Sequence, residues 1–217
     1  MLKHIFEKEL KDEYNIDEIV LIPTFYLFPN SIRFEIGTGE IFTGIFKNSK
    51  IDFLRSMRRV NPKYKVNAAK RAIVLLNSID LTDNLLIVID CMGDIQKISK
   101  YYEKSFNSHE LKELAIYNDY PYTYNETIER LMYKCSKENI DFETLFESIV
   151  ESDFVGLAFI SKVFIFDLDK HIMVSFYDDR GMDVVAKNLE SIRGLYEEHD
   201  DWILQYDKEE IDRKFNK

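Results

Sequence analysis

The residues of this chain that could do chemistry gather in one short stretch, YDDRGMDVVA at residues 177–186. Asp178, Asp179 and Arg180 place two carboxylates and a guanidinium side by side, directly before a glycine. Such a group could hold a cation or move a proton. The same residues suit a tight hairpin turn, because Asp and Gly accept left-handed backbone angles cheaply. We therefore expect a turn first, with positive φ at Gly181 and with Arg180 paired to one of the acids.

Five aspartates lie close to this stretch in the sequence and raise the alternative of a metal site. Asp167 and Asp169 stand at one end of the predicted middle strand. Asp178 and Asp179 stand at its other end. At about 3.3 Å per residue, the two pairs would be roughly 25 Å apart. One ion cannot bridge that distance, so we predict no metal site from these residues and Asp183.

Nucleophilic catalysis has little support in the pattern of cysteines and histidines. Cys91 and Cys135 are far apart, and nothing in the sequence brings either thiol to a histidine. Two buried, reduced thiols are the expected state. Walker A, dinucleotide-binding, G-x-S-x-G and H-E-x-x-H patterns are missing, so we predict no cofactor. The enzyme hypothesis that remains places Asp178, Asp179 and Arg180 in a cleft, and a pocket with shifted carboxylate pKa values would favour it.

The charge balance limits the partners that this chain can take. Its 217 residues carry 39 acidic and 29 basic side chains, which give a formal net charge of -10 and a pI of about 5.0. Nucleic acids and anionic membranes attract basic surfaces, so neither is an expected partner, whereas a basic protein is. The N-terminus MLKHIFEKELKDEY is too charged for a signal peptide, and no apolar run is long enough to span a bilayer. We expect a cytoplasmic protein.

The apolar pattern predicts helices and strands without a repeat or a flexible linker. Apolar residues at helical spacing indicate helices at residues 2–14 and 64–78. A helix also fits the basic stretch 47–60 best, because long basic side chains can cover apolar surface. A continuous apolar run at 84–90 indicates a buried strand, and residues 161–186 follow the pattern strand, turn, strand, turn, strand. We predict one α+β domain, residues 1–217, with a mostly antiparallel sheet that includes this C-terminal three-stranded meander. Helices cover the sheet, and the C-terminus is helical.

A tyrosine-rich stretch at residues 107–127 is the main irregular region. If the domain has two lobes, their junction falls there. Tyr117, Tyr120, Tyr122 and Tyr124 lie in this stretch. They raise a further hypothesis, in which a structural or regulatory subunit associates with itself through exposed aromatic rings.

The C-terminal residues combine the only tryptophan with a dense run of acids. Trp202 follows EEHDD, and helical spacing with Tyr206 predicts that its ring is largely buried. Eight acidic residues lie between positions 197 and 212. Four of them are the candidate partner-binding residues, namely Asp200, Asp201, Glu209 and Glu210.

The same C-terminal region resembles a bacterial domain family of unknown function. That family is marked by a D-D-R-G turn followed by a W-I-L-x-Y-D-x-E-x-I segment, present here as YDDRG and WILQYDKEEI. The upstream stretches IRFEIG and ESDFVG are similar to the same family. One departure is Lys208, where the family pattern leads us to expect Arg, and a lysine forms only a weaker, non-bidentate ion pair. The resemblance implies that the motif residues matter together: Asp178, Asp179, Arg180, Gly181, Trp202, Tyr206 and Asp207.

The resemblance also implies a single-domain, soluble protein, and some similar proteins look like immunity proteins of bacterial toxin systems. Together with the acidic balance and the missing catalytic patterns, it favours a cytoplasmic binding protein of immunity or antitoxin type with a basic, toxin-like partner. The alternative is an enzyme of unrecognised type that uses Asp178, Asp179 and Arg180.

Overall fold

A computed structural model describes residues 1–16, 24–41, 61–117, 128–152 and 160–215. The helices in these ranges are α1 Leu2–Lys8, α2 Thr24–Leu27, α3 Pro62–Ile79, α4 Ile95–Glu103, α5 Phe142–Ser152, α6 Arg193–Glu198 and α7 Lys208–Phe215. The strands are β1 Ser31–Glu35, β2 Leu85–Met92, β3 Leu111–Tyr117, β4 Ile128–Cys135, β5 Ile160–Asp167, β6 Ile172–Asp178 and β7 Gly181–Ala186. A π-helical turn spans Glu9–Glu13, and 3-10 turns span Lys137–Asn139, Leu189–Ile192 and Asp200–Trp202.

The described strands form one antiparallel sheet of seven strands in the order β1-β7-β6-β5-β2-β4-β3. The predicted C-terminal meander is present as β5, β6 and β7. Strands from both sides of residues 107–127 pair in this sheet, since β2 lies between β4 and β5. The fold class is therefore α+β with an antiparallel sheet and a helical C-terminus, and this prediction is confirmed.

The sheet is apolar on both faces, as its interior strand β2 shows. In β2, Leu85, Ile87 and Ile89 point to one face and have no exposed surface. Leu86 and Val88 point to the other face and are equally buried. Helices α3, α4, α5 and α6 pack on the first face, and α1 packs on the second. Burial from both sides explains why the apolar run of β2 shows no polar alternation.

Helix α3 begins and ends at residues suited to its termini. Asn61 caps the N-terminus by accepting a hydrogen bond from the backbone N–H of Lys63. Pro62 takes the first helical position, where its missing N–H costs nothing. Asp80 ends the helix in a left-handed conformation. This fixed start places Tyr64, in the first turn, beside the hairpin between β6 and β7.

The N-terminal helix predicted at residues 2–14 is present in two parts, α1 and the π-helical turn that follows it. Leu2 and Phe6 bury their side chains against the second face of the sheet. Beneath them, Arg130 and Asp90 form a buried ion pair with Nε and Oδ1 2.6 Å apart. Burial raises the pKa of Asp90, and the charge of Arg130 opposes this increase.

The main difference from the sequence-based expectation is β3. The tyrosine-rich stretch predicts irregular structure, but Leu111–Tyr117 forms an edge strand paired with β4 along its whole length. Sequence reasoning missed this strand because strand formation depends on a partner that lies elsewhere in the chain. Tyr117 is buried against Phe6 in an edge-to-face contact, so it is not part of an exposed aromatic surface.

Three expectations fall outside the described residues. They are the helix that apolar spacing favours at residues 47–60, the aromatic surface of Tyr120, Tyr122 and Tyr124, and the DFVG part of the upstream family stretch. In the ranges that the structure covers, no helix has the length and apolar composition needed to cross a membrane.

Candidate functional site

The DDRG stretch forms the turn between β6 and β7. Asp178 pairs with Gly181 across the hairpin. Asp179 and Arg180 are the two loop residues between them. The Asp178 carboxylate accepts hydrogen bonds from the backbone N–H of Arg180 at 2.9 Å and from its Nε at 2.8 Å. The acid therefore stabilises the turn and pairs with the exposed guanidinium, as the turn hypothesis predicts.

The predicted positive φ at Gly181 is wrong. Positive φ angles in the described residues occur at Asn15, Gly39, Asp80, Gly93 and His171. Gly181 is instead the first residue of β7, where it pairs with Glu35 of β1 as well as with Asp178. An extended strand position is open to any residue, so left-handed geometry does not explain this glycine.

The glycine that the turn requires is Gly37, just after β1. Its backbone N–H donates to the carbonyl of Arg180 at 3.0 Å, and the N–H of Ile36 donates to the same oxygen at 2.8 Å. A Cβ at position 37 would stand 2.8 Å from the Asp179 carbonyl oxygen and 2.9 Å from the Arg180 Cα. It would also overlap the hydroxyl of Tyr64. The tip of the hairpin therefore packs directly on the backbone of Gly37, where any side chain would clash.

Behind the turn, Asp179 and Tyr64 form a buried hydrogen bond. The Tyr64 hydroxyl donates to Oδ2 of Asp179 at 2.5 Å. Burial raises the pKa of Asp179, while the hydrogen bond from Tyr64 and the charge of Arg180 oppose the increase. Burial also raises the pKa of Tyr64, and the Asp179 carboxylate adds to that effect. The pair could hold a proton at this position, which is the chemistry that the enzyme hypothesis needs.

A pocket of about 540 Å³ opens beside the turn. Its described lining includes Arg180 from the hairpin, Tyr64 from α3, Arg33 and Glu35 from β1, and Asp183 from β7. Two of these side chains are basic and two are acidic. The described lining therefore favours neither an anion nor a cation.

Arg33 connects the pocket with the C-terminal motif. Its Nε donates to Asp183 at 2.8 Å, and its Nη1 lies 3.3 Å from a carboxylate oxygen of Asp207. Both aspartates are buried. Asp207 also accepts a hydrogen bond from the hydroxyl of Tyr26 at 3.0 Å. Sequence reasoning missed Arg33 and Tyr26 as partners of Asp207. Alternation in IRFEIG only places Arg33 on the polar face of its strand, and 174 positions separate it from Asp207. Tyr26 is equally remote, at 181 positions.

Trp202 is partly buried. It ends a 3-10 turn, with the guanidinium of Arg71 4.2 Å from the centre of its ring and the ring of His199 5.0 Å away. The chain turns extended at Ile203, so the predicted helical stripe with Tyr206 is wrong. Tyr206 is 86% exposed. Trp202 still packs against the main core at its margin.

The four candidate partner-binding acids lie around the start of α7. Asp200 contacts Lys208, which joins the 3-10 turn to the helix, and Glu209 and Glu210 belong to the first helical turn. Glu210 pairs with a lysine one turn later at 3.3 Å. Asp201 and Glu209 are exposed and make no ion pair with a described residue. These two acids therefore carry the uncompensated charge of the group.

Two exposed tyrosines lie beside Asp207, the residue directly before α7. Tyr26 is 54% exposed and bonded to Asp207, and Tyr206 directly precedes Asp207 in the chain. Tyr206 and Glu209 also line one open hollow of about 490 Å³. We call Tyr26, Tyr206, Asp201 and Glu209 the tyrosine–acid surface.

The aspartates near the turn have separate structural partners and do not form a metal centre. Asp167 accepts from the backbone N–H of Thr82 at 2.7 Å and from that of Asp169 at 3.0 Å, so it holds the β5–β6 turn. Asp183 pairs with Arg33 on the neighbouring strand. Among the described histidines, cysteines and acids, no group of three is arranged to hold a metal ion.

Both cysteines are free and buried, as predicted. Burial raises the pKa of Cys91 to about 12 and that of Cys135 to about 11. A thiol with so high a pKa stays protonated at neutral pH and is a poor nucleophile. The structure therefore gives no support to cysteine catalysis at either position.

The chain is similar to known proteins mainly at the level of a domain family. No solved structure matches it. A segment of 44 residues is 43% identical to "Uncharacterized protein YnaE" of Bacillus subtilis (strain 168), and this match covers 20% of the chain and 21% of that relative. The role of the D-D-R-G and W-I-L-x-Y-D motifs as family markers stays a prediction. A family model covers residues 6–207, and the chain therefore belongs to the family described as "Domain of unknown function (DUF3885)".

Proposed function

We propose that this protein is a cytoplasmic binding protein that covers a basic partner, in the manner of an immunity or antitoxin protein of a toxin system. The observation that supports the proposal is the tyrosine–acid surface. Tyrosines often anchor protein interfaces, because a large rigid ring buries much area at a small entropic cost. Exposed acids around them favour a basic partner, and the net charge of -10 attracts the same partner from a distance.

The tyrosine–acid surface stands on a rigid base. Asp207 links α7 to β1 through Arg33 and to α2 through Tyr26. The backbone N–H of Leu204 donates to the carbonyl of Arg33 at 2.9 Å, so the segment before Tyr206 is held along the sheet edge. A surface fixed in advance loses less conformational freedom when it binds.

Affinity purification from the native cell, followed by identification of the bound protein, is the first test. The purified partner is then assayed with a surface variant, Asp201→Lys with Glu209→Lys. We expect association to slow by about tenfold or more, with a smaller change in dissociation, because exposed acids act mainly on diffusional encounter. The matched control is Glu143→Lys with Glu147→Lys, which changes the net charge equally at two exposed positions of α5.

Tyr206→Ala tests the aromatic anchor separately. Its removal should speed dissociation of the partner while leaving the free energy of unfolding unchanged within about 0.5 kcal/mol, because the side chain is exposed. The proposal is rejected if the captured protein is not basic. It is also rejected if the surface variant and the α5 control associate at the same rate.

Catalysis in the pocket beside the turn is the second candidate function. The pocket of about 540 Å³ favours it, although Arg180 is the one member of the Asp178, Asp179 and Arg180 group in its described lining. Asp179 lies behind the turn, and its carboxyl, whose pKa is raised by burial, reaches the pocket only through the hydroxyl of Tyr64. This hypothesis expects a small molecule that stabilises the wild type against heat and whose turnover is lost in Asp178→Asn or Asp179→Asn. The binding hypothesis expects the same variants to capture the partner normally, so the two functions are separable by experiment.

A further inference from the structure

The two edges of the sheet differ in how the rest of the chain covers them. Along β1, Phe34 forms a bridge with Ile203, and the N–H of Leu204 donates to the carbonyl of Arg33. At the opposite edge, β3 pairs with β4 on one side, and no described strand pairs with its other side. An open edge presents backbone N–H and C=O groups that can pair with a further strand.

Exposed apolar side chains lie on this open edge. Leu114 is 44% exposed and Ile116 is 52% exposed. They alternate with the buried Ala115 and Tyr117, so both point to the same face of β3. Two branched apolar side chains on an edge strand that no other described strand covers favour association with another chain.

The charges that could protect this edge are paired within the chain. Lys112 Nζ lies 2.5 Å from a carboxylate oxygen of Glu103 and 2.8 Å from the hydroxyl of Ser99. Glu113 accepts a hydrogen bond from the N-terminal amine of Met1 at 2.6 Å. Charged side chains that point to solvent commonly prevent an edge strand from pairing with another chain. Here both charges are neutralised, so β3 is locally neutral although the chain as a whole is strongly acidic.

We propose that β3 pairs with β3 of a second copy of this chain, antiparallel about a two-fold axis at Leu114. This register overlaps all seven residues of both strands, because Leu114 is the middle residue of Leu111–Tyr117. It sets Lys112 opposite Ile116 and Glu113 opposite Ala115. Centring the pair on Lys112 or Glu113 instead would set like charges opposite each other, which is destabilising.

Local neutrality favours a second copy over the basic partner as the occupant of this edge. A basic protein is attracted to exposed acids, and these lie at the tyrosine–acid surface beside β1. Six strand spacings separate β1 from β3, about 29 Å at about 4.8 Å each.

A symmetric edge contact uses the same strand of both copies, so the assembly stops at a dimer. Seven residues a side bury less than the roughly 800 Å² per partner of a standard interface, so we expect a weak dimer with a dissociation constant in the micromolar range or above.

Sedimentation of the purified chain across a range of concentrations tests the dimer. The wild type should pass from monomer to dimer as concentration rises. Leu114→Lys and Ile116→Lys should each weaken the dimer by tenfold or more, because they place an unpaired charge on the edge. The matched control is Val74→Lys on α3, where the side chain is 42% exposed and the substitution is the same, and it should dimerise like the wild type.

Oxidative cross-linking tests the register. Residues directly opposite on antiparallel strands have Cα atoms about 4.5–5.5 Å apart, within reach of a disulfide. Leu114→Cys should therefore link two chains on mild oxidation, and the native cysteines do not compete because both are buried. Ile116→Cys should not link, since its two copies are offset by four residues, about 13 Å. A wild type that stays monomeric, lysine variants that dimerise normally, or a failure of Leu114→Cys to link would each overturn the proposal.

Discussion

At the scale of single residues, the strictest steric requirement near the candidate site falls on Gly37. We predict that Gly37→Ala lowers the free energy of unfolding by about 1–3 kcal/mol, because its Cβ would overlap backbone atoms of Asp179 and Arg180 that cannot move without opening the hairpin. The measurement is chemical denaturation. Gly194→Ala in α6 is the control, since a Cβ there meets nothing within 4 Å. It should stabilise the protein by up to about 1 kcal/mol through helix propensity, and equal effects at the two positions would contradict the steric explanation.

The buried carboxyl of Asp179 should also affect how stability depends on pH. Its pKa is raised in the folded protein, so the folded state holds this proton more tightly than the unfolded state does. The resulting stabilisation is fully present below the pKa of an aspartate in the unfolded chain, about 3.9. It is lost as pH rises through the higher pKa of Asp179 in the folded protein. Asp179→Asn can still accept the hydrogen bond of Tyr64 but does not titrate. Its free energy of unfolding, relative to the wild type, should therefore increase as pH rises from about 4 to about 7.

Tyr64→Phe gives a second reading of the same effect. It removes the hydrogen bond that opposes the increase in the Asp179 pKa, so the loss of stabilisation should move to higher pH than in the wild type. Denaturation curves at several pH values measure both variants. An Asp179→Asn difference that stays constant across this pH range would show that the carboxyl is not shifted by burial.

At the scale of elements, a cation–π contact attaches the C-terminal 3-10 turn to α3. The guanidinium of Arg71 lies 4.2 Å from the ring centre of Trp202, so we predict that Arg71→Ala destabilises the protein by about 1 kcal/mol. It should also shift tryptophan emission to the red, because the partly buried ring becomes more exposed. Lys70→Ala, the exposed neighbour on the same helix, should do neither. An unchanged emission spectrum in Arg71→Ala would show that the arginine does not cover the ring in solution.

At the scale of the whole molecule, the net charge of -10 should act in opposite directions on the two proposed associations. Added salt shortens the screening length, which is about 8 Å at physiological ionic strength. Association with a basic partner should therefore slow as salt rises, whereas pairing of two acidic copies should strengthen because their repulsion is screened. Binding kinetics and sedimentation over the same salt series measure the two effects. If added salt changed both associations in the same direction, the predicted opposite effects of the net charge would be wrong.

The sequence by itself determined the features that depend on neighbours a few positions apart. Helical spacing was sufficient for α1 and α3, and a continuous apolar run between turn residues was sufficient for β2. Turn chemistry was sufficient for the pairing of Arg180 with one of the two neighbouring acids, and the structure shows that this acid is Asp178. These features follow from local backbone preference and from which faces must be buried.

Only the tertiary structure decided which distant residues meet. Sheet register, a property of the whole chain, brings Arg33 to Asp183, and the packing of α3 brings Tyr64 to Asp179 from 115 positions away. The same register makes β3 an edge strand, and the close approach of the hairpin makes Gly37 necessary. No local propensity encodes these contacts, because each one depends on two segments that are brought together only when the sheet and its covering helices are packed.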